Sequence, residues 1–332
     1  MPRSARLFTA ALAACGCLVP AATKAAAGPV DAPPSPVTLP TIPLLPPGAE
    51  PHPGAPPPPP PAAQGCRAAW VSQLGKPGPG VSKTALGRAI RAYEVGRPMG
   101  RFLGRRPRGI MLLIHGGGWY IVGPGPLATE RRDALRWRRR GWLTVNIDYP
   151  ACARSLAGVL WFHDRVRSRL GHRLPLCAEG ASAGAHLALM LAARRPGVAC
   201  VIGLGAPTDL VAINRQASAS GDRNGSRAVG TMARNAFGRR RLAALSPVRN
   251  AGAIHARVLL ATARRDIVIP LAQARAMRDA LHARHRYAES VVLGPGRIRW
   301  VHADVSRRGL AGFHAAERRL VAPLVRRLRV RS

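Results

Sequence analysis

Aromatic residues are scarce in this 332-residue chain, at 5%. That scarcity argues against a stacking platform for single-stranded nucleic acid. Lysine is rarer still: Lys24, Lys76 and Lys83 are the only ones. Acidic residues number 15 against 51 basic ones, so the formal charge of +36 is carried almost wholly by arginine. Two readings of that charge stand. It can make a surface that adheres without specificity to anionic cell-envelope polymers, acidic lipid or nucleic acid. It can equally follow from a GC-rich coding bias, which favours Arg, Ala, Gly and Pro together. No specific nucleic-acid recognition follows from either. There is no internal repeat, and no CxxC or Cys/His spacing suggests a metal site.

Residues 1–25 read as an export signal. Arg3 and Arg6 supply positive charge, and Leu7 to Val19 is an apolar run too short for a stable bilayer anchor. Cleavage after Ala21 or Ala25 fits the small residues there. The mature chain is then expected to have no transmembrane span and to be secreted or associated with the cell envelope. The alternative is a lipobox, Leu12-Ala13-Ala14-Cys15, whose cysteine would be acylated. Residues 26–65 are rich in proline and end in the run Pro56 to Pro61. Such a segment cannot build a core and is expected as polyproline II or disordered. At ~3.1 Å per residue it would reach on the order of 100 Å, the dimension of a spacer.

Residues 66–332 are expected to form the folded body. A composition 47% hydrophobic and 20% charged is that of a globular protein. Roughly 260 residues suffice for one large α/β domain. Short apolar runs read as buried strands at 109–114, 142–147, 174–179, 199–203, 256–261 and 290–293. Helical spacing falls between and after them, at 127–140, 156–170, 183–194, 271–285 and 310–327. This alternation predicts an α/β fold, a mostly parallel doubly wound sheet with helices on both faces. Residues 210–245 break the rhythm with serines, glycines and the basic run Arg239 to Arg241. They read either as a small cap or as a solvated loop.

Two motifs carry chemistry. Gly180-Ala181-Ser182-Ala183-Gly184 lies between an apolar strand and an alanine-rich helix, the context that a nucleophile elbow requires. The turn at the serine tolerates only small neighbours, and the helix dipole behind it favours a developing oxyanion. The second motif, His115-Gly116-Gly117-Gly118-Trp119, follows a strand and precedes the elbow by 65 residues. Its glycines let backbone N–H groups face a cavity without side-chain obstruction.

On these residues the chain resembles the HGGG-type carboxylesterases and lipases of the α/β-hydrolase superfamily, the group that includes hormone-sensitive-lipase-like esterases. The similarity extends over about 105–328, with further local matches at Asp148-Tyr149-Pro150 and at Ala206-Pro207-Thr208-Asp209-Leu210. The resemblance implies an α/β-hydrolase fold with Ser182 as nucleophile. It also implies an oxyanion hole from the amides of Gly117, Gly118 and Ala183. The acid follows as Asp266, in Ala261-Thr-Ala-Arg-Arg-Asp266-Ile-Val-Ile-Pro270, with Asp209 as the alternative. The histidine follows as His302, 36 residues past Asp266, although its neighbours depart from the usual glycine-flanked pattern. His314, within the last helical pattern, is the alternative. His186, just past the elbow, is expected to pack under the turn.

In that fold Cys177 and Cys200 would begin neighbouring strands and pair, leaving Cys66 with Cys152. Four ordinary buried thiols are the other reading. The chemistry needs no cofactor and no metal. The expected partner is a small-molecule acyl ester, and oligomeric state is not legible. Two other functions stand beside an exported carboxylesterase. One is a peptidase, an amidase or an acetylated-polysaccharide or polyester hydrolase on the same triad. The other is a catalytically inactive envelope-adhesion module.

Overall fold

The computed structural model describes residues 93–122, 124–219 and 225–330. The export signal with Cys15, the proline-rich linker and the start of the body, with Cys66 and its pairing to Cys152, lie outside the described residues. In chain order the strands are β1 (Tyr93–Gly96), β2 (Ile110–Ile114), β3 (Leu143–Ile147), β4 (Leu176–Ala181), β5 (Val198–Leu204), β6 (Arg257–Ala263), β7 (Ala288–Leu293), β8 (Pro295–Arg299) and β9 (Asp304–Val305). The helices are α1 (Pro124–Thr129), α2 (Arg131–Arg139), α3 (Ser155–Leu170), α4 (Ala183–Arg194), α5 (Leu210–Ala219), α6 (Gly225–Phe237), α7 (Leu271–His282) and α8 (Arg307–Val330). No helix among the described residues is long and apolar enough to cross a membrane.

Seven strands form one sheet in the order β1-β3-β2-β4-β5-β6-β7. Only β1 runs antiparallel, on β3; the other neighbours pair in parallel, as the alternating sequence predicts. The apolar runs are explained by burial on both faces. Along β2, Ile110, Leu112 and Ile114 enter one core while Met111 and Leu113 enter the other, all fully buried. The first core is closed by α3, α4 and α7, through Phe162, Leu187 and Met277 among others. The second is closed by α2 and α8, through Trp137, Phe313 and Leu320. Successive side chains of a strand point to opposite faces, so each run must be apolar throughout to serve two cores.

Two features depart from the sequence reading, and two bear on alternatives it left open. The helix expected over 127–140 is two helices, parted at Glu130, whose backbone stays near the helical region (φ −84°, ψ −6°) while the chain redirects. The described residues of 210–245 are mostly helical, in α5, α6 and short 3-10 turns. The edge strand β1 and the antiparallel pair β8–β9 have no apolar run to announce them. Cys177 on β4 lies opposite Cys200 on β5, and the two form a disulfide.

Candidate active site

Ser182 sits between the end of β4 and the start of α4 with φ 52° and ψ −118°, a conformation non-glycine residues rarely adopt. The turn is held by Ser182 N–H donating to Leu204 O at 2.7 Å and by His186 N–H donating to Ser182 O at 3.1 Å. Its glycines are required by close approach. A Cβ on Gly180 would come within 2.4 Å of the Gly184 carbonyl carbon, and one on Gly184 within 2.0 Å of Ile114 O.

The glycine loop lies directly against this turn. A Cβ on Gly116 would stand 3.1 Å from Ala181 O and 3.5 Å from Ser182 Cβ. Gly117, Gly118 and Trp119 follow with φ of 116°, 60° and 68°, three successive left-handed residues that coil the loop beside the serine. Among the described residues, the N–H groups of Gly117, Gly118 and Ala183 are not used in loop or turn hydrogen bonds. The loop is anchored from below. His115, fully buried, has Nε2 2.9 Å from Asp148 Oδ1 and Nδ1 2.6 Å from Gly116 O. Tyr149 stacks on the His115 ring and donates from its hydroxyl to His115 O at 2.9 Å. Burial with Asp148 alongside raises the Tyr149 phenol far above its usual range, so this hydroxyl keeps its proton.

Asp266 and His302 meet. His302 Nδ1 lies 3.0 Å from Asp266 Oδ2, and Asp266 Oδ1 accepts from the amides of Val268 and Ile269 at 2.9 and 2.8 Å. Asp266 is 1% exposed and His302 11% in their side chains. The loop after β6 delivers the acid, and the turn between β8 and β9 delivers the histidine. The hydrogen bond of His302 runs to Asp266, and among the described residues none runs to Ser182 Oγ. Such contacts often tighten only when substrate is bound.

The alternatives are engaged otherwise, although His314 lines the same cavity as Ser182 and His302. Asp209 caps α5, accepting from the amides of Val211 and Ala212 at 3.0 Å each. His314 bonds through Nδ1 to Glu317, which also holds Arg136 and Arg140. Two further residues, Gly205 and Glu130, escaped the sequence reading. Gly205 (φ 56°) is the floor beneath the acid–histidine pair: a Cβ there would lie 2.9 Å from His302 Nδ1 and 3.3 Å from Asp266 Oδ2. Only its place just after an apolar strand could have drawn attention to it. His186 does pack under the turn, as expected, but Trp119 of the glycine loop is its partner, through Nε1. Glu130, 4% exposed, lines the same cavity, and burial beside Asp133 and Glu179 raises its carboxyl to about 8.

Ser182, Ala183, Gly116 to Gly118 and His302 all line one cavity of about 1000 Å³. Residues from α6, among them Val229 and Met232, close part of it. The arrangement places a hydroxyl on a strained turn, unspent amides beside it, and an imidazole whose Nδ1 faces a buried carboxylate. Such a set can carry out nucleophilic attack on a carbonyl with proton transfer and oxyanion stabilisation.

No family model and no curated protein matches the chain. Solved structures do. Thermogutta terrifontis esterase 2, phosphonylated by sarin, aligns with TM-score 0.54 and 18% identity, covering 69% of this chain and 89% of that one. An esterase from the bacterial hormone-sensitive lipase family aligns with TM-score 0.50 and 17% identity, over 71% and 84% of the two chains. A puromycin hydrolase aligns with TM-score 0.55 and 15% identity over 72% of this chain. The match spans only 37% of the puromycin hydrolase and 35% of a Pyrococcus horikoshii acylaminoacyl peptidase. The chain has the α/β-hydrolase fold.

Proposed function

We propose that this chain is a serine hydrolase that cleaves carboxylic esters through an acyl-enzyme on Ser182. The observation that carries the reading is the joint lining of one cavity by Ser182, the Gly116–Gly118 loop and His302, with His302 bonded to Asp266. A serine hydroxyl is a weak nucleophile near neutral pH. With Nδ1–H directed at Asp266, His302 keeps Nε2 free to accept the proton as Ser182 Oγ attacks. Asp266 is itself fixed by two amides, so it orients the ring and offsets the imidazolium charge. The amides of Gly117, Gly118 and Ala183 receive the oxyanion; losing one such donor typically costs about 3 kcal/mol. Collapse expels the alcohol, protonated by His302. Water then attacks the acyl-enzyme with the same imidazole as base. Membership of the HGGG-type carboxylesterase group belongs to this proposal and rests on His115 to Trp119. So does export to the envelope or beyond, which a disulfide between Cys177 and Cys200 supports, since such bonds persist in oxidising compartments.

The test is turnover of 4-nitrophenyl acetate and butyrate by the wild type and by Ser182→Ala. A fall of about a thousandfold or more in kcat supports the reading. Equal rates in the two, or failure of a serine-reactive phosphonate to label Ser182, overturn it. A parallel amide panel ranked by kcat/KM separates ester from amide cleavage. Mass spectrometry of the N-terminus of exported protein tests the signal: an uncleaved Met1 overturns it.

A further inference from the structure

Trp119 and Tyr120 are consecutive aromatic residues at the end of the glycine loop, and each carries one polar handle. A buried tryptophan or tyrosine usually finds a partner for its N–H or O–H. Trp119, 1% exposed, does so: its indole N–H donates to His186 Nδ1 under the turn. Tyr120 is 7% exposed and packs in the same core, yet among the described residues its hydroxyl has no hydrogen-bond partner. That oxygen is not sealed inside the protein either. Tyr120 lines the cavity that holds Ser182, and its free hydroxyl opens there.

The loop decides where the phenol goes. The amides of Tyr120 and Ile121 both donate to Gly117 O, at 3.2 and 2.9 Å, and Trp119 is left-handed at φ 68°. The chain thereby doubles back, and the Tyr120 ring returns over Gly118. It is the hydroxyl end that arrives. A Cβ on Gly118 would stand 3.0 Å from Tyr120 Cε1 and 3.5 Å from Cζ, the carbon that bears the oxygen. Met232 of α6 covers the same glycine, with Sδ 2.7 Å from that point. Gly118 is two residues past Gly116, which packs against Ser182, and its own N–H is not used in loop or turn hydrogen bonds. A free amide and a free phenol therefore meet at one glycine in the lining of the nucleophile's cavity.

What an ester presents to that amide is its carbonyl oxygen. A second donor beside it gains value because Met232 and Val229 bring apolar surface to the same cavity, and negative charge is stabilised most strongly where water is excluded. Packing on Gly118 and Met232 needs only a phenyl ring. A hydroxyl there with nothing to bond adds a desolvation cost that no contact offsets.

Resting on the hydrolase reading above, we propose that Tyr120 is a further catalytic residue, whose phenol O–H donates to the carbonyl oxygen of the bound ester beside the amides of Gly117, Gly118 and Ala183. As Ser182 Oγ bonds to the carbonyl carbon, the carbonyl electron pair moves onto that oxygen and the bond from Tyr120 strengthens. No proton changes hands at Tyr120; the one from Ser182 goes to His302.

The test is Tyr120→Phe in the full chain, which keeps the ring against Gly118 and Met232 and removes only the oxygen. With 4-nitrophenyl butyrate, kcat/KM should fall about tenfold to a hundredfold, with Tm unchanged. The loss should follow the oxyanion. Trifluoromethyl butyl ketone adds to a serine hydroxyl as a charged tetrahedral adduct, whereas methyl butyl ketone stays a ketone. Inhibition by the first should weaken in Tyr120→Phe by about the same factor as kcat/KM, and inhibition by the second by no more than about twofold.

A Tyr120→Phe variant whose kcat/KM stays within about twofold of wild type overturns the proposal. So does equal weakening of both ketones, which would make the phenol a contact to the ground state. Ser182→Ala keeps the two readings apart. Full activity in that variant sinks the hydrolase reading, whereas an inactive Ser182→Ala beside an undiminished Tyr120→Phe sinks this proposal alone.

Discussion

The indole N–H of Trp119 donates to Nδ1 of His186 across 3.1 Å, and the opposite ring nitrogen of His186 donates to Leu245 O at 2.7 Å. Both side chains are buried, 1% and 0% exposed. The bond ties the left-handed end of the glycine loop to the helix that begins at the nucleophile. It also requires a neutral imidazole, since Nδ1 must accept. Burial supplies that, lowering His186 to about 4 from the usual 6.5. Between those values an unfolded chain takes up a proton that the folded one refuses. Stability therefore falls as pH drops through 6.5 to 4, by about 3 kcal/mol in all. His186→Leu should abolish that part of the slope in urea titrations across this range. It should also lower kcat about tenfold or more with little change in KM, because the loop beside Ser182 loses its tether. A kcat within twofold of wild type would show that the loop holds itself.

Gly205→Ala places a methyl group where the acid–histidine bond runs, 2.9 Å from His302 Nδ1. The residue would also be strained at φ 56°. Either His302 or Asp266 has to move. The expectation is a loss of about a hundredfold in kcat with the circular-dichroism spectrum intact. Activity close to wild type would mean that neither side chain depends on this floor.

Ser182→Gly separates strain from chemistry. The backbone at Ser182 suits glycine, so the variant should be inert yet more stable by about 1 kcal/mol, read as a higher Tm. An unchanged or lower Tm would show that the turn is relaxed around the serine.

The residues whose backbone geometry is most demanding were the ones most legible in the sequence. Gly180, Gly184 and Gly116 each lie where a Cβ would collide with or crowd backbone, and such positions leave a local mark. The doubly buried strands were legible for a related reason: Ile110 to Ile114 must be apolar at every position to serve two cores. The helix from Ala183 to Arg194 matches its expected limits, because it is rich in alanine and leucine, both strong helix formers, and is buried from Ala183 to Ala192. The importance of Gly205 and Glu130 was hidden because it comes from non-local packing. Gly205 matters through a histidine nearly a hundred residues later, and Glu130 through a helix break inside an unbroken periodic pattern. The hairpin carrying His302 was equally hidden, since Pro295-Gly-Arg-Ile-Arg lacks an apolar alternation.

Glu130→Gln should stabilise the fold increasingly as pH rises. Asp133 and Glu179 act with burial to hold the Glu130 carboxyl near 8, against the pull of Arg136 and Thr129. Between 4.5 and 8 the unfolded chain loses a proton that the folded one keeps, so the wild type loses stability with rising pH through that window. The cost approaches on the order of 4 kcal/mol by pH 8. The amide carries no such cost. Parallel pH–stability curves for the two proteins would show that Glu130 is already ionised in the fold.

The bond between Cys177 and Cys200 locks more than two neighbouring strands. Each sulfur sits five residues ahead of a position the chemistry depends on, Ser182 at the end of β4 and Gly205 just past β5. A slip of one strand against the other would carry the attacking hydroxyl away from the glycine that seats the imidazole and its acid. The cross-link forbids that slip. Wear at the sheet edges or in the helices over the cavity can then loosen the molecule without shifting Ser182 relative to Gly205, for as long as the sulfurs stay oxidised.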